Sequence, residues 1–168
     1  MNYQRSTVSD LVKALVEGPP LIQMVTGPRQ VGKTTAAVDV QNTLGWPTVF
    51  AAADYSPAPG PEWIETQWTR ARTLSGPRRL LILDEIQKVR GWSETVKRLW
   101  DEDRRNRQAL SVILLGSSAL LLHRGMSESL AGRFFLHRCM HWNYSACVAA
   151  FGWTLDQWLF FGGYPGAA

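Results

Sequence analysis

The chain has 168 residues, 45% of them hydrophobic and 19% charged, with a formal net charge of +4 carried by 14 arginines and 4 lysines against 14 acids. That length bounds it to one domain able to bury roughly 70% of its unfolded surface; the hydrophobic content excludes a disordered polar chain and the mild basicity a dedicated nucleic-acid arm. No apolar run approaches the roughly 18 residues of a membrane span, and the opening MNYQRSTVSD lacks the apolar stretch of a secretory leader. Cys139 and Cys147 have no C-x-x-C spacing, so the expectation is a soluble cytoplasmic protein with reduced thiols.

In chain order, Val8, Leu11, Val12, Leu15 and Val16 recur at helical spacing until Gly18-Pro19-Pro20 stops them, which predicts an amphipathic helix ahead of the core. Residues 21–26 read as a short strand and 33–44 as a helix, with Gly45 in the position after its last turn and Trp46-Pro47 beyond. A second strand is expected over 48–54, a surface loop at SPAPGP (56–61), and a helix over 61–75 closed by Gly76. LLILDEIQ (80–87) begins with an aliphatic run without alternation, the pattern of a strand covered on both faces. Trp92, Val96, Leu99 and Trp100 make one apolar helix face, while Asp101 with Arg105 and Asp103 with Arg107 fall at i,i+4 and predict a solvated face. A strand over 111–115, helical pieces over 119–122 and 127–131, and a last strand over 134–140 complete the pass. The alternation predicts an α/β fold with a largely parallel sheet covered by helices on both faces.

Two motifs carry chemistry. GPRQVGKT (27–34) matches G-x-x-x-x-G-K-[ST], follows a predicted strand and opens a predicted helix, the context that a P-loop requires. Glycines let the backbone turn so that its N–H groups converge on phosphate oxygens, and the helix N-terminus adds positive potential. Gly27, Pro28, Arg29, Gln30, Val31, Gly32, Lys33, Thr34 and Thr35 are therefore the expected nucleotide-binding loop, with Lys33 reaching the β- and γ-phosphates and Thr34 ligating Mg²⁺. Asp84 and Glu85 end the aliphatic strand at the sheet edge where open α/β proteins bind ligands. Neighbours on a strand point apart, so Asp84 is expected to hold Mg²⁺ and Glu85 to orient or deprotonate the attacking water. A binder without hydrolysis needs only the first acid, which favours an ATPase over a GTPase-like switch.

GPRQVGKTT, LILDEIQKV, VILLGSSALLL, SESLAGRF and FFGGYPGAA occur in the order found in AAA family ATPases of the bacterial and archaeal type that continue into a C-terminal domain of uncertain function. The chain resembles that family over nearly its full length from Thr7. The resemblance implies a P-loop NTPase fold with an AAA+-like parallel sheet of order 5-1-4-3-2. It also implies that residues 1–168 are an ATP-binding domain truncated before a C-terminal domain. Ser117 resembles the sensor that contacts the γ-phosphate or the attacking water, with Ser118 as fallback. Arg133 resembles the arginine that approaches the nucleotide, in its own chain or in a neighbour's, which leaves a homo-oligomer open. Gln87 and Lys88 match the family string without an assigned role.

His137, Cys139 and His141 alternate and could present Zn²⁺ ligands on one strand face, but closed zinc sites combine two short ligand pairs, so a half-buried edge strand is the expectation. The eight tryptophans could stack on single-stranded bases, but Trp63, Trp92 and Trp100 lie at helix-face spacing with aliphatic neighbours, so core packing is the expectation. The expected activity is binding of ATP with Mg²⁺ and slow hydrolysis, coupling nucleotide state to a partner or to the missing domain. The alternatives are a nucleotide-dependent regulatory switch and a nucleic-acid-binding defence or mobile-element ATPase, each with little intrinsic turnover. DNA is not supported as a partner by this segment, and no membrane partner is expected.

Overall fold

The computed structural model describes residues 3–117, 130–164 and 166. Helix α1 (Ser6–Val16) precedes β1 (Ile22–Gly27), α2 (Lys33–Leu44), β2 (Thr48–Ala52), α3 (Pro61–Arg72), β3 (Arg79–Asp84), a 3₁₀ turn (Ile86–Lys88) and α4 (Trp92–Arg105). After these come β4 (Leu110–Ser117), β5 (Phe134–Arg138), α5 (Tyr144–Phe151) and α6 (Leu155–Phe161). The strands form one sheet in the order β2-β3-β4-β1-β5, and every pairing is parallel. This is the expected order 5-1-4-3-2 read from the other edge. Among the described residues no helix is long and apolar enough to cross a membrane.

The aliphatic runs explain the two-faced core, because successive strand side chains point to opposite faces. Leu80 and Ile82 pack with Val25, Ile113 and Leu115 under α1 and α2, against Val8, Leu11, Ala36, Ala37 and Val40. Leu81 and Leu83 pack with Ile22, Met24, Val112 and Leu114 on the other face, under Ile64 and Trp68 of α3 and Val96 and Leu99 of α4. Trp92 is buried in this second core and Trp63 and Trp100 pack against it, as expected for core aromatics.

Two expectations about α4 need correction. Asp103 is not on a solvated face: it is 2% exposed, accepts from Trp68 Nε1 at 2.7 Å and from Arg72 Nε at 2.8 Å, and so joins α3 to α4. Asp101 pairs with Arg133, and α4 ends before Arg107, whose φ is +53°. The i,i+4 spacing is real, but α3 and the residue just before β5 supply the partners from outside the helix.

The chain after β5 also adds two helices that the hydrophobic pattern leaves unassigned. Their signals are local caps: Asn143 accepts from the Ala146 amide, and Thr154 with Gln157 forms a complete T-x-x-Q capping box. The last of these helices exposes Leu155, Leu159 and Phe160. The helical pieces expected over 119–122 and at 127–129 lie outside the described residues.

Candidate functional site

The parallel sheet brings its C-terminal strand ends to one edge. Gly27 lies beside Ser117 in register, and Ala52 beside Asp84. The loop from Pro28 to Gly32 leaves β1 at this edge and turns into α2, whose first-turn amides have no partner within the helix.

Two glycines of this loop are required for different reasons. A Cβ on Gly27 would sit 1.9 Å from the Cys139 carbonyl oxygen, because the chain leaving β5 crosses directly over it. Gly32, just before α2, has φ +89° with open space around it, so its requirement is conformational. Gln30 also adopts a left-handed conformation. The loop curls around Lys33, which is 8% exposed and donates from Nζ to the carbonyls of Gly27 at 3.0 Å and Pro28 at 2.5 Å. Burial pushes the Lys33 ammonium below the usual lysine range, while the carboxylates of Glu85 and Asp84 oppose that shift.

The P-loop meets the acid pair directly. Thr34 Oγ1 donates to Asp84 Oδ2 at 2.7 Å, and Asp84 Oδ1 accepts from the Glu85 amide at 2.7 Å, so the 6%-exposed carboxylate is held on both oxygens. A hydroxyl and a carboxylate at this separation are hard oxygen donors of the kind Mg²⁺ takes, usually with water completing its shell. Glu85 is in the left-handed region at φ +54°. Its Oε2 accepts from Gln87 Nε2 at 2.7 Å and lies 3.9 Å from Lys88 Nζ, which pairs with Asp54 at 2.5 Å.

Arg29, Gln30, Gly32, Lys33, Thr34, Thr35, Asp54, Glu85 and Lys88 line one cavity of about 850 Å³. That volume lies within the usual range of small-molecule sites, about 300–1,000 Å³. Aromatic side chains, Tyr3, Trp142 and Phe151, line the same cavity. Trp142 donates from Nε1 to the Val31 carbonyl at 3.1 Å and stacks near Tyr3 and Phe151, with ring centroids 5.6 and 5.2 Å away. The Arg5 guanidinium lies 4.8 Å from the centre of the Trp142 ring and donates to the Val31 and Met140 carbonyls. Arg5, Trp142 and Phe151 were not legible in the sequence as site residues. Trp142 lies 111 positions from Val31, and no local motif encodes that contact.

Ser117 stands at the end of β4 next to Gly27, beside the loop; Ser118 lies outside the described residues. Arg133 is elsewhere. Its carbonyl accepts from the amide of Ile22, the first residue of β1, so it marks the opposite end of the sheet, roughly 17 Å of strand away from Gly27. There its guanidinium is bidentate to Asp101 at 2.8 and 3.1 Å. Within its own chain it does not approach the loop, which corrects the same-chain half of the expectation drawn from the LAGR string and leaves the neighbour's-site half as a proposal.

The Arg133 hydrogen bonds hold the Asp101 carboxyl below the usual carboxylate range. A depressed folded value contributes stability above the unfolded value and loses it as pH falls through the folded one. Arg133→Met should therefore melt below wild type at pH 7, with the gap closing as pH is taken below the carboxylate range. Thermal melts from pH 7 to 3 read this; a gap independent of pH would assign the loss to packing instead.

The alternating His137, Cys139 and His141 do not converge, because β5 ends at Arg138. His137 Nε2 bonds Gln23 Oε1 at 2.8 Å, Cys139 is buried beside Arg5, and His141 bonds the Tyr164 hydroxyl at 2.6 Å.

Among curated proteins none matches the sequence. The solved structure of the Aeropyrum pernix Orc1 protein in complex with DNA is similar in fold, with a TM-score of 0.60 at 15% identity over 90% of this chain. This chain spans 49% of that one. The AAA domain family matches residues 20–146. With that match over most of its length, a parallel sheet in the order β2-β3-β4-β1-β5 and a glycine loop opening α2 at its edge, the chain belongs to the AAA domain family of P-loop ATPases.

Proposed function

We propose that this domain binds ATP with Mg²⁺ in the cavity over α2 and hydrolyses the γ-phosphate bond slowly, passing the nucleotide state to a partner or a further domain. The observation that carries this reading is the 2.7 Å hydrogen bond from Thr34 to Asp84, which joins the loop to the acid pair in one site.

The phosphates lie along the amides of residues 28–35, at the positive end of α2. Lys33 exchanges its two carbonyl partners for phosphate oxygens, and Thr34 and Asp84 hold Mg²⁺. When bound, the ion neutralises charge on the β- and γ-phosphate oxygens. Glu85 takes up the proton of the attacking water or orients that water, and the Ser117 hydroxyl, at the end of β4, contacts the γ-phosphate or the water. The products are ADP and inorganic phosphate. The base stacks on the Trp142 platform, with Tyr3 and Phe151 behind it.

Titration with a fluorescent ATP analogue in the presence of Mg²⁺ tests this arrangement. Lys33→Ala should weaken binding by about 10- to 10²-fold, since hydrogen bonds to charged groups contribute about 1.5–3 kcal/mol. Trp142→Ala should cost a similar factor, because base–aromatic stacking contributes about 1–3 kcal/mol. Unchanged affinity in Lys33→Ala would remove the phosphate assignment; unchanged affinity in Trp142→Ala alone would remove only the base platform.

A further inference from the structure

Gln87 sits two residues beyond Asp84-Glu85, in a string whose purpose the nucleotide reading leaves open. The turn that carries it is firmly built. Ile86 is fully buried, the Lys88 amide donates to the Glu85 carbonyl at 2.9 Å, and the Val89 amide donates to the Ile86 carbonyl at 3.1 Å. Lys88 ties the same turn to Asp54 beyond the end of β2. Within this frame Glu85 is held at φ +54°, a conformation that a residue with a Cβ adopts only when its surroundings over-determine it.

The left-handed step at Glu85 bends the chain out of the strand direction, and the 3₁₀ turn folds Gln87 back over it. Gln87 Nε2 then donates to Glu85 Oε2 at 2.7 Å, while Lys88 Nζ stands 3.9 Å from the same oxygen. Among the described residues Oε1 takes no hydrogen bond, and Glu85 lines the cavity with Lys33 and Thr34. One carboxylate oxygen is therefore anchored and the other left for the cavity. The amide's sense is determined too: Gln87 Oε1 is buried without a hydrogen-bond partner, and exchanging it with Nε2 would set an acceptor against a carboxylate.

We propose that Gln87 is a positioning residue that fixes the Glu85 carboxylate by one oxygen, so that the other faces the water attacking the γ-phosphate. The proposal rests on the hydrolytic reading above. An unanchored glutamate samples several rotamers, and only one points a lone pair at the water. A misplacement of about 1 Å in a reacting group costs up to about 10²-fold in rate.

The test compares four forms of the full chain: wild type, Gln87→Leu, Glu85→Gln and the double variant. Leucine fills a similar volume and removes the donor. Gln87→Leu is expected to lower kcat by about 10- to 10²-fold while leaving the dissociation constant for the ATP analogue within twofold, and to cost nothing further in the Glu85→Gln background. In ¹⁵N-labelled wild type, the Gln87 side-chain amide resonances should move on Glu85→Gln. A wild-type kcat in Gln87→Leu, a loss that persists in the double variant, or an amide insensitive to Glu85→Gln would overturn the proposal while the hydrolytic reading stands. A wild type no more active than Glu85→Gln would overturn the hydrolytic reading, and catalytic positioning with it, even where the amide reports the contact.

Discussion

Glu85→Gln is expected to bind ATP and Mg²⁺ with affinity near that of wild type and to lose about 10²- to 10⁴-fold in turnover, the usual contribution of a positioned general base. The substitution keeps the shape of the side chain and an oxygen that can still accept from Gln87, but removes the group that takes up a proton. It leaves Thr34 and Asp84 joined at 2.7 Å and the loop around Lys33 unaltered, so the binding half of the site persists. Binding with turnover equal to wild type would sink the assignment of Glu85 and point to a different residue or to water alone. Loss of binding together with turnover would instead place Glu85 among the groups that hold the nucleotide. Wild-type binding without turnover, unchanged by Glu85→Gln, would favour a regulatory switch.

Asp103→Ala is expected to destabilise the fold by about 3 kcal/mol, because it leaves the buried Trp68 indole N–H unpaired and Arg72 with only the more exposed Glu102 carboxylate and the Leu99 carbonyl. The wild-type carboxylate satisfies both the Trp68 indole N–H at 2.7 Å and Arg72 Nε at 2.8 Å, and Trp68 is fully buried in the core over β3. For a chain of this size such a loss lowers the melting temperature by about 6–12 °C. Chemical denaturation followed by tryptophan fluorescence and circular dichroism measures it. Adding Arg72→Met should recover part of the loss, since an apolar replacement removes a half-buried guanidinium that retains only the Glu102 pair. A loss under 1 kcal/mol in Asp103→Ala would show that water reaches Arg72 and that the junction of α3 and α4 rests on apolar contact.

The two substitutions probe opposite ends of the same strand layer. Glu85 follows the C-terminal end of β3, where function gathers, whereas Asp103 lies near the end of α4, where the chain turns back toward the start of β4. Asp103→Ala should therefore lower stability far more than it lowers nucleotide affinity at temperatures where the variant is folded.

What the sequence by itself determined was whatever depends on neighbours along the chain. The loop from Gly27 to Thr34 is legible because its chemistry uses consecutive backbone amides and one helix start, and the spacing of two glycines, a lysine and a threonine encodes that directly. The strand ending in Asp84 is legible because four aliphatic residues can be buried only with both faces covered. Its neighbour order was implied by family resemblance, not by pattern, since periodicity says which face of a strand is buried and nothing about which strand lies beside it. Tertiary structure decided the rest. Arg133 follows a glycine in a string that resembles a nucleotide-contacting one, but parallel pairing puts the start of β5 beside the start of β1, at the end of the sheet away from the loop. Asp103 has a charged partner at i+4 and takes a different one from α3, because burial beside Trp68 rewards a fully satisfied carboxylate more than a solvated pair does. The aromatic lining of the cavity, from Tyr3 beside Arg5 to Trp142 and Phe151, forms only when the segment leading into α1 and the chain after β5 close over Val31, and contacts of that sequence separation have no local signature.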